Sequence, residues 1–169
     1  DGSSARKITV KLYGKGAIDK SENYSGSANT RYYIRKKGQL IYSKLDFLNG
    51  AFAIIPDSLD GFETTLDLPA FDISTEVSPM WLIEYLTRPS YYTNQVSLAR
   101  GQRKARRISP EEFLNSKVRM PDRKTQDRMA KILSDADLEL SLAKKRQSAL
   151  SHQKRGLMQK LLTGEWRVN

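Results

Sequence analysis

An α+β body followed by one long projecting coiled-coil helix is the fold class this sequence predicts, and three observations carry it. Short runs alternating apolar and polar residues, separated by Gly, Asn and Pro, occupy the first half and read as strands. From Ser78 onward, apolar residues recur at helical spacing behind Ser-Pro pairs. From Thr125 to Thr163 one seam is kept throughout: Met129, Leu133, Ala136, Leu140, Ala143, Gln147, Leu150, Lys154, Leu157 and Leu161, stepping alternately by four and three residues. A pattern sustained over that length is a coiled-coil seam rather than an ordinary surface stripe.

No Pro or Gly interrupts the seam before Gly156, and Gly164 stands where a C-terminal stop belongs. At ~1.5 Å per residue the helix runs roughly 55–60 Å. The ~120 residues before it would make a globule only about 35 Å across. The helix is therefore expected to project, and its apolar seam to need a second helix. The boundaries follow: a body over 1–121, the helix over 122–164 and a short tail over 165–169.

Within the body, Arg6 to Tyr13 alternates over Ile8, Val10 and Leu12 and reads as a strand, ended by a turn at Gly14-Lys15-Gly16. That glycine pair lacks the third Gly or the Gly-Lys-Ser/Thr of a phosphate loop. Asp19 to Thr30, rich in Ser, Asn and Gly, reads as a loop, and a strand begins at Tyr32-Tyr33-Ile34. Arg35-Lys36-Lys37-Gly38 makes a basic turn. Gln39–Leu45 and Ala51–Ile55 are strands around the turn dipeptide Asn49-Gly50. Pro56 to Gly61 turns again, and Thr64 to Ile73 holds a strand ending at Phe71. Ser78-Pro79 opens a helix that buries Trp81, Leu82, Tyr85 and Leu86. Ser90 to Ala99 is helical, Ser109-Pro110-Glu111-Glu112 is a capping box, and Asn115 to Met120 reads as a last strand before Pro121-Asp122.

The 169 residues contain no cysteine, which rules out disulfides and thiolate metal sites and fits a cytoplasmic protein. No apolar run approaches a membrane span. The opening Asp-Gly-Ser-Ser enters strand-like sequence almost at once and reads as a cut start. Net charge is +10 and it is segregated: residues 1–37 carry nine Lys/Arg against three acids, and residues 100–124 carry nine against three. Between them, residues 40–90 place only Lys44 and Arg88 among eight acids. Basic segments flanking an acidic middle point to a polyanion-binding face assembled from separate loops.

Catalytic signatures are missing. His152 is the single histidine and lies in the long helix, so a His-based metal site or a Ser-His-Asp triad has little to build on. There is no Walker loop and no Asn-Pro-Pro-Tyr or glycine-rich cofactor motif of a methyltransferase. Asp122-Arg123-Lys124 has the local form of a nuclease site but falls at a helix N-cap. No cofactor and no metal are expected. The strongest candidate for contact chemistry is the stretch Arg100, Gly101, Gln102, Arg103, Lys104, Ala105, Arg106, Arg107. Gly101 lets backbone approach phosphate, Gln102 suits an adenine edge, and the basic side chains suit guanine or phosphate. Lys15, Arg35 and Lys36 belong to the first basic segment. Lys44 has two readings, a solvated lysine or a DNA contact. Trp81, Tyr85, Phe47, Phe52 and Phe71 are expected in the core, and Tyr24, Tyr91 and Tyr92 at the surface.

The run Leu40-Ile41-Tyr42-Ser43-Lys44-Leu45-Asp46-Phe47-Leu48-Asn49-Gly50-Ala51-Phe52-Ala53-Ile54-Ile55-Pro56 resembles a segment of the target recognition domains of type I restriction–modification specificity (S) subunits. Thr65 to Phe71 is similar to the segment that follows it there, and Gly101 to Phe113 to the family's basic loop and Ser-Pro-Glu-Glu-Phe turn. Pro121 onward, with Gln126, Met129 to Leu133 and Arg155 to Gly164, resembles the family's helical spacer and its exit. The resemblance implies a non-catalytic subunit that reads double-stranded DNA and docks methyltransferase (modification) subunits and, indirectly, a restriction subunit. S-adenosylmethionine would belong to the first partner and ATP to the second. Whole S subunits look like two recognition domains and two antiparallel helices. This chain supplies one of each, so it is expected to be a fragment or a half-length subunit that dimerises through the long helix. The alternative is a coiled-coil assembly protein whose basic surface meets an acidic polymer without sequence specificity.

Overall fold

The computed structural model describes residues 5–20, 30–101 and 106–167. They form seven short strands: β1 (Ile8–Val10), β2 (Ala17–Asp19), β3 (Tyr33–Ile34), β4 (Leu40–Tyr42), β5 (Phe52–Ile54), β6 (Glu63–Thr64) and β7 (Ala70–Phe71). The helices are α1 (Pro79–Thr87), α2 (Pro89–Tyr92), α3 (Pro110–Leu114) and α4 (Arg123–Leu162). The chain divides into two compact units, Asp1–Asp127 and Arg128–Asn169.

β4 organises the first unit. It lies between β5 and β7 in an antiparallel sheet, with Ile41 opposite Ala53 on one side and Ala70 on the other. Successive side chains of a strand point to opposite faces. Leu40 and Tyr42 therefore join one core with Phe47, Phe52, Leu86, Tyr91, Tyr92, Ile108 and Phe113. Ile41 points the other way, into a second core with Ile8, Val10, Ala51, Ala53, Ile55, Leu59 and Phe62. Apolar faces on both sides explain why Leu40-Ile41-Tyr42 is a continuous apolar run rather than an alternating one. The first core is aromatic: Tyr42 meets Phe47 edge-on at 5.4 Å, and Phe113 lies 5.0 Å from it.

β1 and β2 form a hairpin, with Val10 opposite Ala17, and β3 pairs with β6, Tyr33 opposite Thr64. β2 takes in Asp19, the first residue of the expected Asp19–Thr30 loop, and most of the rest of that stretch, residues 21–29, lies outside the described residues. Asn115 to Met120 is not a strand: it pairs with no strand among the described residues. Its alternation is real, since Ser116 and Val118 are half-buried, but Val118 packs on the aromatic core by its side chain alone. Tyr91 and Tyr92 are buried, each 6% exposed, contrary to their expected surface position. The one-turn α2 sets Tyr91 against Tyr85, Phe47 and Phe52, and Tyr92 against the bare Cα of Gly50. Tyr24 lies outside the described residues. Trp81, Phe47 and Phe52 are buried as expected, while Tyr85 and Phe71 are half-buried.

α4 is a single 40-residue helix, about 60 Å long. Asp122 caps its start: Oδ1 accepts from the Thr125 N–H at 3.0 Å and Oδ2 from the Thr125 hydroxyl at 2.6 Å. The Asp122-Arg123-Lys124 sequence is thus a helix start, as its position implied. Gln126, 1% exposed, accepts from the Ser78 N–H at 2.8 Å and donates to Pro121 O at 2.9 Å. That ties the first turn of α4 to the N-terminus of α1. Gly164 ends the helix in the left-handed region, φ +75°.

Candidate nucleic-acid interface

The basic stretch is held at its two ends by main-chain bonds. Arg100 and Arg107 face each other as an antiparallel bridge, each N–H donating to the other's carbonyl at 2.8 Å. Beside the bridge, Gly101, at φ +111°, supplies a conformation that side chains rarely adopt. Gln102, Arg103 and Lys104 lie outside the described residues, and Arg106 is exposed.

Residue 108 hangs this stretch on β4. Ile108 is fully buried, its N–H donates to Lys44 O at 3.1 Å, and its carbonyl accepts from the Tyr42 hydroxyl at 3.1 Å. Lys44 in turn donates its N–H to Asp67 O at 2.9 Å, and Arg107 Nε lies 3.7 Å from Asp67 Oδ1. The sequence places Lys44 more than fifty residues from the Arg100–Arg107 stretch, and the two bonds made by Ile108, to Lys44 O and from the Tyr42 hydroxyl, bring them together.

Below the bridge, Ser109 opens α3 with a full capping box: its hydroxyl accepts from the Glu112 N–H at 3.2 Å, and Glu112 Oε2 accepts from the Ser109 N–H at 3.1 Å. The other Glu112 oxygen accepts from Arg100 Nε at 2.5 Å. The Arg100 hydrogen bond and the Ser109 N–H hold the Glu112 carboxyl below its ordinary pKa. The stabilisation this gives is present at neutral pH and is lost as pH falls through the lowered folded value. One carboxylate thus orients both the cap and an arginine.

A groove of about 580 Å³ results, lined by Lys44, Arg100, Arg107, Ser109, Glu111, Glu112 and Asn115. Three cations and an amide converge there, with Glu112 already engaged by Arg100. Forked guanidinium donors match phosphate oxygens or the O6/N7 edge of guanine, and an amide matches adenine. Asn115 escaped the sequence reading because its segment read as a strand. No local signal marks it, and only the fold of α3 brings it to the groove.

Lys15, Arg35 and Lys36 do not line the groove. Lys15 is exposed on the β1–β2 turn and Lys36 on the turn after β3. Arg35 is occupied within the fold: Nε donates to Thr64 Oγ1 at 2.6 Å and its terminal nitrogen to Leu68 O at 3.1 Å, and burial lowers its pKa. It braces β6 against the turn that follows, a structural use of a residue expected at the DNA. Among the described residues no three His, Cys, Asp or Glu side chains cluster to hold a metal, and no helix is long and apolar enough to cross a membrane.

In the second unit the seam is open. Met129, Leu133, Leu140, Leu150, Leu157 and Leu161 are 40–56% exposed, and Ala136, Ala143, Gln147 and Lys154 are exposed among them. Leu138 and Leu142, 60% and 55% exposed, lie outside the seam. Leu138 stands two residues from both Ala136 and Leu140, roughly 200° around the helix by its 3.6-residue period. The heptad pattern drew the eye to one face and hid the second.

No family model matches this sequence, and no curated protein matches it. Among solved structures, the crystal structure of the HsdS subunit from Thermoanaerobacter tengcongensis is similar, with a TM-score of 0.66 and 15% sequence identity. The match covers 94% of this chain and 42% of that one, so the chain spans less than half the length of this neighbour. At that identity the likeness is one of fold: an α+β body with a long C-terminal helix, as found in part of an HsdS subunit.

Proposed function

We propose that the chain is a non-catalytic specificity module of a type I restriction–modification complex, reading one half of a bipartite double-stranded DNA target. The observation that carries this reading is the groove in which Arg100 and Arg107, bridged to each other, meet Lys44 and Asn115. The resemblance of residues 40–56 and 101–113 to S-subunit recognition segments supports it, as does the fold likeness to an HsdS subunit. Lys44, Arg100, Arg106 and Arg107 serve as duplex contacts, with Gly101, Gln102, Arg103 and Lys104 on the loop between, and Lys15 and Lys36 as outlying phosphate contacts. Residues 1–121 act as the reading body and 122–164 as the spacer. The α4 seam pairs antiparallel with a second such helix, from another half subunit or another copy. Leu138 and Leu142, on the opposite side of α4, suit the methyltransferase subunit, which would carry S-adenosylmethionine, while ATP belongs to the restriction subunit.

The test is selection of duplexes from a randomised pool by the 169-residue chain, followed by fluorescence anisotropy across a salt series. Enrichment of one motif is expected, with affinity falling roughly a hundredfold or more between low and physiological salt as phosphate contacts release counterions. Arg106→Ala and Arg107→Ala should weaken binding without lowering thermal stability. Steep salt dependence with no enriched motif would instead favour the coiled-coil assembly protein with a general polyanion surface.

A further inference from the structure

The turn between β1 and β2 holds a residue that the fold itself does not explain. Three of its positions have positive φ: Tyr13 at 59°, Gly14 at 65° and Gly16 at 81°. Glycine occupies two of them, as sterics favour, but the third carries an aromatic side chain in the left-handed region, an uncommon and strained choice. The strain is not repaid by burial, because Tyr13 is 61% exposed. Lys15 Nζ lies 6.0 Å from the ring centre, the outer limit of a useful cation–π contact.

The turn is also fixed in place. The Tyr13 N–H donates to Asn49 O and the Gly14 N–H to Gly50 O, both at 2.9 Å. A Cβ at Gly14 would come 2.8 Å from Thr87 Cβ and Cγ2, so the turn sits directly against α1. The acceptors are the last residue and the C-cap of a 3-10 turn, Phe47–Asn49, that follows Lys44 by three residues. The exposed lysines Lys11, Lys15 and Lys20 run along the same hairpin. The turn thus projects one aromatic ring beside the Lys15 cation, on backbone where glycine would be at ease.

We infer that Tyr13 is a second DNA-reading element, resting on the DNA-binding function proposed above: its ring packs on a base or sugar edge of the duplex while Lys11 and Lys15 hold the neighbouring phosphates. Strain retained at an exposed side chain is characteristic of ligand-contacting positions. The base faces of a duplex are stacked on one another and only sugars and base edges are open to the ring, so this contact adds affinity and register more than base identity.

Tyr13→Gly separates the two roles of the residue, since it relieves the backbone and deletes the ring. The 169-residue chain, Tyr13→Gly, Tyr13→Asn and Tyr13→Phe are compared by anisotropy on the duplex recovered by selection, alongside thermal unfolding. Asn is included because it tolerates the left-handed region, should Gly loosen the turn too far. Gly and Asn are expected to weaken binding roughly fivefold or more, as truncation of an aromatic contact at an interface does, with an unfolding midpoint equal to or above that of the unchanged chain. Tyr13→Phe should stay within about twofold of the unchanged chain, because the apolar ring is retained. Unchanged binding by both Gly and Asn variants overturns the role of Tyr13 and leaves the groove's function standing. If the unchanged chain binds no duplex at all, both fall together.

Discussion

Tyr42→Phe removes one oxygen from the point where the basic loop is fastened to the sheet. Tyr42 is fully buried, and its hydroxyl donates to Ile108 O at 3.1 Å. The ring's contacts with Phe47, Phe52, Phe71 and Phe113 survive the change. What is lost is one hydrogen bond, and the buried Ile108 carbonyl loses this donor, together costing about 1–2 kcal/mol. For a body of this size that is a fall of roughly 3–8 °C in the unfolding midpoint. Because Ile108 follows Arg107 directly, duplex affinity should also fall a few-fold through misplacement of the bridge. Alkaline titration gives an independent readout. Burial, reinforced by the nearby Glu112 carboxylate, raises the Tyr42 pKa above that of a free phenol. The unfolded chain therefore loses this proton first. The stabilisation is intact below a pH of about 10 and declines as pH rises toward the higher folded value. The Phe variant should lack that component of alkaline destabilisation. Thermal and urea unfolding followed by near-ultraviolet circular dichroism measure both effects. An unchanged midpoint with an unchanged alkaline limb would refute the fastening role of the hydroxyl.

Two further outcomes are expected. Gln126→Ala leaves the buried Ser78 N–H without its acceptor and removes donors from Pro121 O and Glu76 O. It should cost about 2–4 kcal/mol in urea unfolding, and a loss under about 1 kcal/mol would mean water replaces the amide. On α4, if the exposed seam pairs as proposed, the chain should self-associate in sedimentation velocity. Leu140→Asp with Leu150→Asp should abolish that while the body unfolds at an unchanged midpoint. A concentration-independent monomer for the unaltered chain would sink self-pairing, and end-to-end crosslinks between like termini would sink the antiparallel arrangement.

Local pattern carried most of the element order. The capping box at Ser109 was legible because its two side chains are three residues apart, so the bonds it makes are local. The long helix was legible because a heptad period survives for its whole length. The failures share a cause: each concerns a segment whose state depends on distant residues. Asn115–Met120 shows strand-like alternation, but a strand needs a neighbour to pair with, and period alone cannot supply one. Tyr91 and Tyr92 are adjacent in sequence and looked like residues with one side in water. They are buried because Gly50, more than forty residues earlier, leaves room for one ring and the aromatic core receives the other.

The same reasoning explains why composition located the basic loop but not the groove. Charge segregation is a property of contiguous sequence, so it marks Arg100 to Arg107 directly. Convergence of Lys44 with Asn115 depends on the Tyr42 hydroxyl, the Lys44 carbonyl and the cap of α3, none of which has a sequence signature as a set. Arg35 shows the converse. Its neighbours Lys36 and Lys37 make it look like part of a polyanion contact, and two of its guanidinium donors brace Thr64 and Leu68. Basic residues in one run can therefore divide between bracing and contact, and the division follows from whether an acceptor waits within the fold. Arg100 lies between these extremes. Glu112 holds its Nε while the rest of the guanidinium stays exposed, so the fold aims it rather than consumes it. That geometry, one donor anchored and the others free, is what a side chain needs to present a fixed fork to a duplex at low entropic cost.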